Sequence, residues 1–268
     1  MKQPESASSK SPEHILKKKL QYFFSSQYRG RKEIQETLLK IEKFGRMVLI
    51  GGMIRDIALW GNLRFHSDLD FVIDPTDLNA FEKSMLTMQA KQNRFGGYSL
   101  SLEKWRIDVW PLQKTWAQLA GHVMVKTFDD LIKVTFFDCD AIIYNIAERK
   151  MIYKPDYFVN LNRRVLDVNL KPNPNPIGNA VRAFRYAFIK KLSWGQKLSG
   201  FILETIDAVG WEEIAEKEKQ SFKTDWIASF LDKSAFEYHL RCYLSVNDST
   251  CFDPDKFIKR PTQLHFQF

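Results

Sequence analysis

Three aspartates are the residues of this sequence best placed to do chemistry. Asp68 and Asp70 stand two apart at the head of an apolar run, Leu69-Asp70-Phe71-Val72-Ile73, and Asp108 stands between Ile107 and Val109. On a strand, residues i and i+2 point to one face, so Asp68 and Asp70 project together. Paired carboxylates hold divalent cations, and Mg²⁺ combines carboxylate oxygens with substrate phosphates. Two such ions about 3.5–4 Å apart stabilise both the attacking and the leaving oxygen of an in-line phosphoryl displacement. Asp108, expected on an adjacent antiparallel strand, completes the set from the side. Gly51-Gly52 suits the other half of such a reaction, because glycine lets backbone N–H groups approach a phosphate and the following helix offers its N-terminus to anionic oxygens. Arg55, in the first turn of that helix, adds a fork of donors. Each feature alone has a plainer reading: a turn, a strand-start cap, an Arg55 paired with Asp56. It is their order along the chain that gives the chemistry weight.

These side chains need a scaffold, and apolar periodicity outlines one. Met47–Ile50 reads as a strand running into Gly51-Gly52, and a helix carrying Ile54, Ile57, Ala58 and Leu59 stops at Gly61. The Asp68–Ile73 strand follows, then a helix over 77–90 with Leu78, Phe81, Met85 and Met88 on one face. Residues 98–102 and 105–110 alternate as an antiparallel pair joined near Glu103-Lys104, and a further strand is expected at 141–144. Two basic amphipathic helices precede all this. One carries Ile15, Leu16, Leu20, Phe23 and Phe24 beside Lys17, Lys18 and Lys19; the other runs over 32–43. Beyond Leu170 the run Lys171-Pro-Asn-Pro-Asn-Pro176 is a rigid connector, after which helices are expected over 177–192, 195–209, 211–219 and 222–244. The first dozen residues read as disordered, and the tail from Asp253 shows no periodicity.

Composition bounds the rest. At 268 residues, with 44% hydrophobic and 27% charged, the chain is neither a stapled mini-protein nor disordered throughout. The net charge is +8, and residues 1–46 hold eleven Lys and Arg against five Asp and Glu, so most of the excess is N-terminal. An anionic partner and a solvated face both account for it. Three cysteines without a CxxC pair exclude a disulfide framework and predict reduced thiols in a cytoplasmic setting. No run of 18 apolar residues and no apolar leader is present, so neither a membrane partner nor secretion is expected.

The segment Val48-Leu-Ile-Gly-Gly-Met-Ile-Arg-Asp-Ile-Ala-Leu-Trp-Gly61, followed by Ser67-Asp-Leu-Asp-Phe-Val-Ile73, resembles the head of DNA polymerase β superfamily nucleotidyltransferases. Its Gly-Gly-x-x-Arg-Asp form is similar to the class II tRNA CCA-adding enzyme and bacterial poly(A) polymerase family. Phe95-Gly-Gly-Tyr-Ser-Leu-Ser-Leu-Glu-Lys-Trp-Arg-Ile-Asp108 resembles that family's next hairpin, Asp138-Cys-Asp-Ala-Ile its following motif, and Arg182-Ala-Phe-Arg185-Tyr-Ala the helix that opens its neck. The resemblance implies an α+β fold: a nucleotidyltransferase head, a mixed sheet flanked by helices, followed by a helical C-terminal part. The domains are then a basic N-terminal helical extension over 1–46, the head over 47–170 and a neck-like helical domain over 171–268.

It also implies that Asp68, Asp70 and Asp108 hold two Mg²⁺ ions, and that Gly51, Gly52 and Arg55, with Arg182 and Arg185, hold an incoming nucleotide, ATP or CTP. Where CCA-adding enzymes have Glu-Asp-x-x-Arg to read the base, this chain has Asn175-Pro176-Ile-Gly-Asn179, and Phe136-Phe137 replaces the Arg pair before Asp138. The expected activity is Mg²⁺-dependent transfer of a nucleoside monophosphate to a hydroxyl, with an RNA or tRNA-like 3′ end as the favoured acceptor. Arg182, Arg185, Lys190, Lys191 and Lys197 would track a phosphate backbone, or else pair within the helices. A small-molecule or protein acceptor stays open because Trp110-Pro-Leu-Gln-Lys-Thr-Trp-Ala117 replaces an Arg-rich sequence. A silent RNA-binding module is the third reading, although it gives no reason to keep three like charges together.

Overall fold

A seven-stranded mixed sheet organises the first part of the chain, and helices organise the second. The computed structural model describes residues 11–65, 68–93, 95–229, 231–246 and 250–259, without the Arg64 side chain. The first ten residues, with the disorder expected there, lie outside this description, as do Ser67 and the tail after 259. Residues 11–135 with 139–158 form one compact unit, and residues 136–138 with 159–259 form another.

The first unit contains α1 (Pro12–Ser25), α2 (Arg31–Ile41), β1 (Gly45–Ile50), α3 (Gly52–Trp60), β2 (Leu69–Pro75), α4 (Leu78–Thr87), β3 (Lys91–Gln92), β4 (Tyr98–Ser101), β5 (Arg106–Pro111), α5 (Trp116–Leu119), β6 (Ile142–Asn145) and β7 (Lys150–Tyr153). The sheet order is β3-β4-β5-β2-β1-β6-β7. Neighbours are antiparallel except β2 and β5, which are parallel. This corrects one expectation: β5 pairs antiparallel with β4 as anticipated, but it runs parallel to the strand bearing Asp70. The chain leaves β2 through α4 and the short β3 and β4 strands, and that crossover brings it back to run in the same direction.

Local signals set the ends of the helices. Ser11 caps α1 through its Oγ, with Pro12 as the first helical residue, so this helix starts inside the stretch expected to be disordered. Asp77 caps α4 by accepting from the Ala80 N–H at 3.0 Å. Both faces of the sheet are buried. Val48, Ile50, Val72 and Ile143 pack with Leu112, Val125, Phe128 and Leu131 on one side. On the other, Phe71 meets Phe24 of α1, with ring centroids 6.3 Å apart. The two basic helices therefore belong to the head unit rather than standing apart as an extension. Their apolar faces (Leu16, Leu20, Phe23; Ile34, Leu38, Ile41) are buried, and burying them stabilises the whole unit.

The second unit follows α6 (Tyr157–Asn162) with β8 (Val165–Leu166), α7 (Pro176–Lys190), β9 (Ser193–Trp194), α8 (Gln196–Phe222), α9 (Trp226–Ser229) and α10 (Lys233–Ser245). Trp194, fully buried, packs its ring against Phe184 and Phe236, with centroids 5.0 and 5.9 Å away. Gly210, at φ +77°, interrupts α8 where the sequence predicts two helices. The single helix expected over 222–244 is divided, because buried Glu218 accepts from Thr224 Oγ1 at 2.8 Å and from the Ile227 N–H at 2.9 Å. Those bonds hold a turn there, and Asp232 caps a fresh helix by accepting from the Ala235 N–H.

Candidate active site

The strand register gathers the sequence-predicted aspartates. Asp70 lies directly opposite Asp108 across the parallel β2–β5 pair, and Val72 lies opposite Trp110 one step further in. Alternation puts Asp68, Asp70 and Val72 on one face of β2, and Arg106, Asp108 and Trp110 on the same face of β5. Val72 and Trp110 pack into the apolar cluster on that face, so the carboxylates form its outer end. The glycine turn sits at the same end of these central strands: Leu49 pairs with Phe71, which brings Gly51 level with Leu69.

That turn needs glycine. Gly51 has φ +75° and ψ −122°, a conformation that side chains of L-residues rarely adopt, and its carbonyl accepts the Ile54 and Arg55 N–H groups of α3. Among the described residues no side chain caps α3, which leaves its N-terminus available to an anion.

Arg55 lies beneath this turn rather than projecting from it. Its Nε donates to Asp56 Oδ1 at 2.7 Å and its Nη1 to Asp140 Oδ1, and the side chain is only 4% exposed. A Cβ on Gly52 would come within 3.5 Å of Arg55 Nη2. The Asp56 pairing was legible from adjacency. Asp140, far along the chain, was not.

Arg106, which sequence reasoning passed over, sits among the carboxylates. It donates from Nε and Nη2 to the two oxygens of Asp108 at 3.2 Å each, its Nη1 lies 3.8 Å from Asp68 Oδ2, and its Nε also reaches Ser99 Oγ at 2.7 Å. Burial alone would lower the Arg106 pKa, but Asp108, Asp68 and Asp70 outweigh it and raise it. The Asp68 pKa is raised above the ordinary aspartate value, mainly by burial; Arg106 pulls it down and Asp108 pushes it up. The i, i+2 spacing of Arg106 and Asp108 was the signal in the sequence.

The donor set suits a hard cation, being carboxylate oxygen at one end of these strands, and the guanidinium marks the space between Asp68 and Asp108 as one that accepts positive charge. As they stand, no three His, Cys, Asp or Glu side chains among the described residues are drawn together closely enough to hold a metal ion.

Arg182 and Arg185 lie on α7 in the second unit. Arg185 donates to Thr224 Oγ1 at 2.8 Å, lies 3.8 Å from Glu218 Oε1, and stacks over Phe222 and Trp226. Burial lowers its pKa and Glu218 raises it, with burial dominant. Arg182 donates to Tyr186 Oη at 3.1 Å and lies over the rings of Phe137 and Tyr186. Among the described residues, no helix is long and apolar enough to cross a membrane.

No protein-family model matches the sequence, and no curated protein matches it. Solved structures match it in fold. A tRNA-processing enzyme in an apo form superposes with a TM-score of 0.53 at 15% identity, over 84% of this chain and 60% of that one. The Thermotoga maritima CCA-adding enzyme complexed with tRNA gives 0.50 at 17% identity, over 70% of this chain and 47% of that one. The chain shares its fold with CCA-adding enzymes. A CCA-adding enzyme in complex with CTP gives the same TM-score, 0.50, at 18% identity and the same coverage, 70% and 47%. The chain spans about half to three fifths of the length of these enzymes. The expected α+β class, a mixed sheet with flanking helices followed by a helical part, is the observed one.

Proposed function

We propose that the protein is a nucleotidyltransferase that moves a nucleoside monophosphate from ATP or CTP to a hydroxyl, with an RNA 3′ end, tRNA-like, as acceptor. The observation that carries this is the register of β2 and β5, which sets Asp70 opposite Asp108 with Asp68 two residues away on the same face, at the end of the strands where Gly51-Gly52 begins α3. Asp68, Asp70 and Asp108 would hold two Mg²⁺ ions. The chemistry such ions supply is charge stabilisation at the attacking and leaving oxygens.

The protein's own groups do the positioning. The glycine turn and the α3 N-terminus bind the triphosphate through backbone N–H groups and orient the α-phosphorus toward the aspartates. Asp140 and Asp56 clamp Arg55 under the turn, so Arg55 holds the phosphate-binding backbone in shape. Arg182 is assigned to the nucleotide on the family resemblance, whereas the contacts of Arg185 give it a part in anchoring α7 to Glu218 and Trp226. The acceptor hydroxyl gives up its proton to solvent and its oxygen bonds to the α-phosphorus as the bridging P–O bond breaks, and pyrophosphate leaves. RNA is favoured by the fold shared with enzymes solved with tRNA and with CTP, and by the basic excess in residues 1–46.

The test is incubation of the protein with Mg²⁺, each labelled NTP in turn, and total RNA, a small-molecule panel or a protein panel. Label on RNA that disappears in Asp68→Ala and Asp70→Ala is expected. Label confined to a protein or small molecule overturns the acceptor assignment, and tight RNA binding without label overturns catalysis.

A further inference from the structure

Two rows of side chains face each other across β2 and β5. Asp70 opposes Asp108, and continuing the same parallel register by one residue from Leu69 and Ile107 sets Asp68 opposite Arg106. The face thus holds three carboxylates and one guanidinium. Arg106 uses two donors on the two oxygens of Asp108, at 3.2 Å each, and a third nitrogen faces Asp68 at 3.8 Å. A Mg²⁺ ion bound here would draw on the oxygens of these same carboxylates. A guanidinium and a divalent ion held on the same carboxylates would bring like charges close together, so filling the site with metal favours moving the guanidinium away. The Arg106 side chain is 50% exposed, so it can withdraw to solvent without unpacking the core.

Building on the carboxylate assignment above, we propose that Arg106 is an internal counter-cation that competes with divalent metal for Asp108 and Asp68, and that metal binding favours its withdrawal. Arg106 neutralises the repulsion of the three aspartates in the metal-free protein, and it sets the metal concentration at which the site fills. It acts through the carboxylates and is a positioning residue.

The experiment is Mn²⁺ titration of the full chain without nucleotide, following free Mn²⁺ by electron paramagnetic resonance. Wild type, Arg106→Gln and Arg106→Lys are compared, each with and without Asp108→Asn. Losing a charge-assisted fork that is half exposed should tighten Mn²⁺ binding in Arg106→Gln by about tenfold. Arg106→Lys, which keeps the charge and loses the fork, should fall between. If Arg106→Gln does not fold, the comparison of Arg106→Lys with wild type carries the test. Binding that Asp108→Asn weakens but that is equal or poorer in both Arg106 variants overturns this inference alone. Binding indifferent to Asp108→Asn in every background overturns the carboxylate assignment, and the inference with it.

Discussion

Replacing Arg55 with leucine should cost the first unit about 3 kcal/mol. The Arg55 side chain is 4% exposed and those of its partners Asp56 and Asp140 are 10% and 11% exposed, so the substitution removes a cationic partner from two nearly buried carboxylates. Breaking a buried ion pair by removing one partner costs about 3–5 kcal/mol, and the residual solvent access and further contacts of both aspartates place this case at the low end. Against a typical stability of about 5–15 kcal/mol, the loss is large enough to read by urea unfolding followed by circular dichroism. Asp140→Leu provides the second arm of a double-mutant cycle. The pair should be coupled by about 1–3 kcal/mol, so the double variant is less destabilised than the two single losses together. Nucleotide binding should fall in Arg55→Leu as well, since the Gly51-Gly52 turn loses the group beneath it. A loss under about 1 kcal/mol together with abolished nucleotide binding would refute the supporting role and make Arg55 a direct phosphate ligand.

Two further outcomes follow from the same end of these strands. Gly51→Ala forces a side chain into φ +75°, ψ −122°, and should cost about 1–3 kcal/mol with loss of nucleotide binding; a variant as stable as wild type would show that the turn relaxes freely. Asp68 has a folded pKa above the ordinary 3.8, so the native state binds more protons than the unfolded chain between those two values, and its ionisation lowers stability as pH rises through that window. In the absence of metal, Asp68→Asn should therefore gain in melting temperature relative to wild type as pH rises above the ordinary aspartate value, and a difference that shrinks with rising pH would contradict the partial burial that raises this pKa.

The parts that were legible in the sequence are those that local chemistry decides. Alternation at Asp68, Leu69 and Asp70 placed two carboxylates on one face whatever lay beside them, because the strand period is two. The glycine pair announced the turn before α3, because only glycine satisfies that backbone position, and the end of the Pro-rich connector placed the start of α7 to within a residue, although Asn175 as its cap went unread. Gly210 divided α8 for the same reason. Periodicity misread residues 222–244 because the interruption depends on Glu218, whose carboxylate replaces helical bonds by reaching Thr224 and Ile227 from the preceding helix. It placed the basic helices outside the head because an apolar face on a helix does not name the surface that will cover it.

The sequence by itself determined which residue types stand ready and which face of each strand or helix carries them. Only the tertiary structure decided their partners. The strand of Asp108 runs parallel to that of Asp70 because the crossover through α4, β3 and β4 returned the chain beside β2, and strand pairing between distant segments is a property of the whole sheet. Arg55 turned inward because Asp140, brought beside the glycine turn by β6, offers a second carboxylate to a guanidinium that burial obliges to be paired. Arg106 became the cation among three aspartates because register set it opposite Asp68, and electrostatics between side chains depends on distance in space, which sequence separation does not measure.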